Sequence, residues 1–281
     1  MAFPMTLRKR AAVVLITGLA FLFAFGARAA EGPPEAAGHD STNLNKQLQN
    51  PVSSLISVPL QFNFNFKTGP FDRSQFLFNF QPVIPFHLAG EWSIVSRTIM
   101  PFLVQPVDQT ETDFGLSDMQ ESLFFARSWG AFTMGLGPIF QFPTATNETL
   151  GAGKFGIGPT GVFVLTTGPI VAGVLVNNVF SVAGDPDRPG VNQMLLQPFV
   201  NYNLSGGWAL SLVNSQIVAN WKAPNDDRWL LPLGLGFSKT FVAGKQPMNA
   251  GANMFYNVIR PDNGPDWQLR FNLTLLFPKK G

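Results

Sequence analysis

From residue 58 onward, apolar and polar residues alternate along the chain. Residues 58–67 place Leu60, Phe62, Phe64 and Phe66 on one face and Gln61, Asn63, Asn65 and Lys67 on the other. Residues 73–86 set Phe76, Phe78, Phe80, Ile84 and Phe86 against Gln75, Asn79 and Gln81. The last such stretch, Trp267 to Phe277, is apolar at every odd position. Its even positions are Gln268, Arg270, Asn272 and Thr274, with Leu276 breaking the pattern. A period of two is a strand with one greasy and one wet face. Eleven residues of it are enough to cross a bilayer at a tilt. The pattern predicts further strands over 91–104, 116–127, 129–142, 154–167, 169–181, 191–203, 207–221, 228–241 and 246–258, twelve in all. In 116–127 Glu121 falls opposite Asp118, Gln120 and Ser122, and in 207–221 both faces are mixed, so the register is open there.

The connections support a membrane barrel over a soluble sandwich. Those around 87–90, 128, 168, 204–206 and 244 are short, while 105–115, 143–153 and 182–190 are long. Short and long alternate, as periplasmic turns and outer loops do in barrels with an even strand number. Eleven of the 17 acids fall in the outer connections. Trp92, Trp129, Trp208, Trp221, Trp229 and Trp267 mark strand ends, as an interfacial girdle does. The expected fold is an all-β, antiparallel, up-and-down transmembrane barrel over residues 57–281. Its last strand has the form that the barrel-assembly machinery reads.

Composition fits. There are 28 Phe among 281 residues and only 13% charged residues, and a lipid-facing surface accounts for that much Phe on alternating positions. Residues 1–29 read as a signal peptide. Arg8-Lys9-Arg10 precede an apolar run, and Ala27-Arg28-Ala29 fits small-x-small cleavage. Removing Arg8, Lys9, Arg10 and Arg28 from the 19 basic residues leaves 15 against 17 acids, so charge gives no reason to expect nucleic acid. No later segment carries an apolar run long enough for a membrane helix. A secreted chain of this pattern meets the bilayer only as a closed barrel. Residues 30–56 form an N-terminal segment. Leu44, Leu48, Val52 and Leu55 have helical spacing there, with Ser41 or Asn43 as cap and Pro51 as a bend. A plug in the lumen and a linker at the periplasmic rim are both open readings.

With these patterns in hand, the stretches QNPVSSLISVPLQFNFNF (49–66), QPVIPF (81–86), FPTATNETLGAGKFGIGPTG (142–161), VNQMLLQPFVNYNLSGGW (191–208), LPLGLGFSKTF (231–241) and PDWQLRFNLTLLFPK (265–279) resemble a family of bacterial outer-membrane proteins. Its members are labelled transporter or phenol meta-cleavage-pathway outer-membrane protein, and by mistake neuromedin U. The resemblance spans nearly all of the mature chain. It implies an outer-membrane barrel passing small, aromatic or apolar compounds, and it brings no catalytic or binding residues.

Candidate chemistry is sparse. The chain has no Cys, which excludes disulfides, thiolate metal sites and a lipoprotein anchor. Gly151 to Gly156 match G-x-G-x-x-G, but a β-pattern follows where a dinucleotide site needs a helix. His39 and His87 are the only imidazoles, one in the N-terminal segment and one at a turn, which argues against a barrel hydrolase. No cofactor and no metal site is expected. Asp185/Asp187, Asp226/Asp227 and Asp108/Glu111/Asp113 are candidates for cation or lipopolysaccharide contact, without the spacing of a tight site. The functional candidates are the polar positions expected to line the lumen: Gln61, Asn63, Asn65, Lys67, Gln75, Asn79, Gln81, Arg97, Gln268, Arg270 and Asn272. A charge facing lipid at mid-depth costs about 2–4 kcal/mol, so Arg97 and Arg270 are expected inside. Two functions fit: a passive channel for small molecules, or a closed structural barrel displaying acidic loops to cations, lipopolysaccharide or partners.

Overall fold

A computed structural model of the chain describes residues 41–278. The expected signal peptide with its cleavage site, and His39, lie outside the described residues. The alternating segments form a closed, antiparallel barrel of twelve strands. In order they are β1 (Ile56–Thr68), β2 (Arg73–Phe80, resuming as Val83–His87), β3 (Trp92–Pro106), β4 (Thr112–Leu116, resuming as Met119–Trp129), β5 (Phe132–Phe142), β6 (Lys154–Thr167), β7 (Ile170–Gly184), β8 (Asn192–Asn203), β9 (Trp208–Asn214, resuming as Ile217–Asn220), β10 (Trp229–Ala243), β11 (Gln246–Ile259) and β12 (Trp267–Phe277). Each strand pairs with its sequence neighbours. The barrel closes where β1 meets β12, in unbroken register from Ile56 opposite Phe277 to Phe66 opposite Trp267.

Alternation assigns the two surfaces. The outer face carries aromatic ladders. Phe62 packs on Phe78 at 5.0 Å, Phe78 on Phe102 at 5.9 Å, and Phe66 stacks on Trp267 at 3.9 Å between ring centres. Leu235, Phe237, Met254, Tyr256 and Phe271 stand exposed on the same surface, a continuous apolar belt that a water-soluble barrel would not tolerate. The inner face carries amides and hydroxyls, among them buried Asn63, Asn79, Ser122, Asn177 and Asn253.

The sequence reading differs from the structure in β4 and β9. Strand β4 starts at Thr112, and its turn to β5 is Gly130–Ala131 rather than Ser128, with Gly130 at φ 57° supplying the reversal. Trp129 therefore ends β4 instead of opening β5. Glu121 does face outward. It pairs opposite Thr98, and its carboxylate accepts the Ser96 hydroxyl at 2.6 Å and the Thr98 hydroxyl at 2.5 Å. These bonds satisfy a carboxylate that would otherwise face hydrocarbon unpaired. Finally, β9 breaks at Ser215–Gln216, and that break is why neither face of 207–221 reads cleanly.

Candidate functional site

Helix α1 (Ser41–Gln49) and the turn that follows it lie inside the barrel, at the end carrying the short turns. Asn45 is 1% exposed. Its amide donates to the Gly207 carbonyl at 3.1 Å, and its oxygen accepts from the Thr240 hydroxyl at 3.1 Å and from Asn249 at 3.3 Å. Gln49 and Asn203 exchange amide bonds at 3.0 and 2.9 Å. The Asn50 amide reaches the Thr133 hydroxyl at 3.1 Å.

Two apolar contacts complete the seat. Val52, 3% exposed, is enclosed by Val95, Phe124, Ala126, Val162, Val164, Val171, Leu175 and Phe199, the inward residues of five strands. Leu44 and Leu55 pack on Leu276, which is 0% exposed. The one exception in the alternation of the last strand is thus the position that receives the N-terminal segment. Burying three aliphatic side chains contributes about 1.5–3 kcal/mol each.

The wall closes on this segment at Gly207, where φ is 77° and an added Cβ would stand 2.3 Å from the Thr240 carbonyl oxygen. A left-handed conformation costs a non-glycine residue about 1–3 kcal/mol. Gly207→Ala is therefore expected to lower the unfolding free energy measured in urea by that amount or more, whereas Gly206→Ala, left-handed as well at φ 68° but with open space around the Cβ position, should lower it by the backbone cost alone.

Above the segment the lumen is polar. One cavity of about 240 Å³ lies between α1 and the wall, and a second of about 430 Å³ opens toward the long loops. Gln61, Gln81, Arg97 and Gln216 line both, so they form the waist between them. Arg270, 2% exposed, donates to Asn63 at 2.9 Å, to Gln216 at 2.9 Å and to Gln268 at 3.1 Å, and lies 4.7 Å from the centre of the Phe255 ring. Arg97 donates to Gln81 at 3.1 Å. Gln61 accepts from Asn63 and Asn79; Asn65 bridges Gln75 and Gln268; Asn272 reaches Asn253. Ten of the eleven expected lumen residues therefore meet in the interior.

Lys67 does not. Its φ of 56° and the register shift between Asn65 and Thr68 break the alternation at the strand end. Its ammonium, 59% exposed, pairs with Asp266 at 3.1 Å. Sequence reasoning missed Gln216, Asn249 and Asn253. The last two stand at i and i+4 with Asn257 in β11, a period that marks them as inward. Gln216 lies in the strand break, where periodicity gives no signal.

At the long-loop end, residues 143–153 fold against β4. Asp118 accepts the backbone N–H of Ala145 at 3.3 Å and of Ala152 at 2.6 Å, and Leu150 is buried. In the Gly151–Gly156 stretch, β6 begins at Lys154, so no helix N-terminus is present for a phosphate. Several of the loop acids are engaged by donors of their own or a neighbouring loop. Asp108 accepts the N–H of Thr110 at 2.6 Å and of Glu111 at 2.7 Å, and these bonds hold its carboxyl below the usual carboxylate range. Asp185 accepts from Asp187, Asp227 from Asp262, and Asp113 from Thr149. Among the described residues no three acidic or histidine side chains converge as a metal site would need. His87 is exposed at the last position of β2.

No protein-family model matches the chain, and no curated protein matches its sequence. Solved structures do match. An outer membrane channel from Pseudomonas putida F1 superposes with a TM-score of 0.62 at 12% identity, over 80% of this chain and 96% of that one. The NanC porin superposes with a TM-score of 0.50 at 10% identity, over 80% of this chain and 100% of that one. At such identities the likeness establishes the fold. The chain is built as outer-membrane channels and porins are, and these likenesses do not reach the phenol-pathway family.

Proposed function

We propose that the protein is a passive outer-membrane channel for small molecules, held narrow at its periplasmic end by its own residues 41–55. The observation that carries this reading is the pair of amide-lined cavities joined at Gln61, Gln81, Arg97 and Gln216, with α1 seated beneath them. A barrel that served only as a wall would gain more from an apolar, packed interior, since each buried amide must be matched by a partner. In this reading the short-turn end faces the periplasm and the long loops face outward among lipopolysaccharide. The barrel-assembly machinery inserts the chain, and passage involves no catalytic step. The Phe-rich face lies against lipid, so aromatic solutes are implied by the sequence resemblance and not by the lumen.

Liposome swelling tests this. Proteoliposomes are expected to admit glycine faster than glucose, as a narrow polar waist sorts by size. Phenylalanine entering faster than glucose would support aromatic solutes. Swelling with none of the three, from full-length protein and from protein lacking residues 31–55, would contradict a channel. The tight seat of Val52 and Asn45 favours a second reading, a barrel closed at rest, and the truncated protein separates the two.

A further inference from the structure

The charges in the lumen do not balance. Among the residues that line the two cavities, the charged side chains are Arg97, Arg270 and Asp118. Asp118 belongs to the loop that it clamps, through the N–H groups of Ala145 and Ala152. The ion pairs among the described residues join Lys67 or Arg260 to Asp266 and Arg127 to Glu91, all at strand ends or in connections. Arg97 and Arg270 therefore stand without a carboxylate. Arg270 is held on three neutral oxygens. Arg97 has one, Gln81, which leaves most of its five N–H donors free toward the waist.

A guanidinium taken out of bulk water is costly unless an opposite charge meets it. Two of them in one low-dielectric passage focus a positive potential where a solute must pass. The same cavity is lined by the amide groups of Gln81 and Gln216 and by the apolar side chains of Leu48, Leu175 and Phe199. The fork geometry of Arg matches a carboxylate, and the apolar wall matches a short hydrocarbon tail.

We propose that the waist is a binding site for small organic anions, with Arg97 as the residue that meets the carboxylate and Arg270 as the fixed charge beside it. The inference rests on the channel reading for its role in passage, but the site itself is tested independently. The probes are three molecules of one size: sodium propionate, propionamide and propylammonium chloride, titrated calorimetrically into the refolded mature protein. Propionate is expected to bind at least about tenfold more tightly than either of the others, the scale of one hydrogen bond to a charged group. Arg97→Gln is expected to remove that preference and Arg97→Lys to restore part of it. Arg97 has a single protein partner, so its loss leaves the network around Arg270 standing. Heat-modifiable migration on a gel checks the fold of each variant.

In planar bilayers under a KCl gradient, chloride is expected to permeate better than potassium, and Arg97→Gln to move the ratio toward one. Propionate binding no tighter than propionamide overturns the proposal, even if the channel conducts. Propionate binding that Arg97→Gln abolishes in a protein that never conducts upholds the site and overturns passage instead.

Discussion

Protein lacking residues 31–55 is expected to show a single-channel conductance several-fold above that of the full mature chain, with the barrel intact. The described part of this segment, residues 41–55, crosses the short-turn end of the lumen and touches opposite parts of the wall. Val52 clusters with residues of β3, β4 and β6 to β8, and Asn45 reaches β10 and β11. Nothing in the barrel ladder passes through it, because β1 begins at Ile56 and pairs with β12 over its whole length. Deletion removes the seat of three aliphatic side chains, at about 1.5–3 kcal/mol each, and leaves twelve strands of backbone hydrogen bonds in place. Heat-modifiable migration reports whether the barrel still folds, and bilayer recording reports the conductance. An unchanged conductance would mean that the narrowest point lies elsewhere, at the waist or under the loop of residues 143–153.

Asn45→Ala is expected to act in the same direction without removing any backbone. The substitution deletes three buried hydrogen bonds and leaves the Gly207 carbonyl without its partner, while Thr240 and Asn249 keep each other at 3.0 Å. Leaving a buried acceptor unmatched costs about 2 kcal/mol. If the segment leaves its seat reversibly, that cost raises the unseated population by about 30-fold. Recordings are expected to show openings to the larger conductance that are rare in the parent and frequent in the variant. Gln49→Ala breaks a half-buried pair with Asn203 and is expected to have the smaller effect. Equal effects from the two would argue that the apolar contacts of Val52 and Leu44, not the buried polar network, hold the segment.

Much of the barrel was legible because its outer face meets one uniform solvent. Hydrocarbon demands an apolar residue at every second position, and Phe62, Phe64, Phe66, Phe76, Phe78 and Phe80 meet that demand without exception. The interior has no such uniformity. Where the lumen is wet, as along Gln61, Asn63, Asn65 and Arg270, the inner face reads as polar in the sequence. Where α1 and its turn fill it, the inner face turns apolar. Leu276, Phe124, Ala126, Val162 and Val164 are inward residues that look like lipid contacts in the sequence, because they touch Leu44, Leu55 and Val52. The irregular patterning of 116–127 has two origins, the inward apolar Phe124 and Ala126 and the outward Glu121 held by Ser96 and Thr98. Lys67 was misplaced for a local reason, a left-handed residue at a strand end that periodicity cannot register. Gln216 was missed because the ladder breaks there, and the break is what frees its side chain to reach Arg270 across the lumen.

The central claim is that the N-terminal segment narrows the periplasmic mouth of a channel, and the chain's lack of cysteine allows a direct test. Asn45→Cys combined with Thr240→Cys places the only two thiols where the native side chains meet at 3.1 Å. Single-channel conductance is recorded with the pair oxidised and then reduced in the same bilayer, with cross-linking verified by gel mobility. The account predicts only a small, steady conductance while the pair is oxidised and additional, several-fold larger openings once it is reduced. Steady conductance of equal size in both states would contradict it.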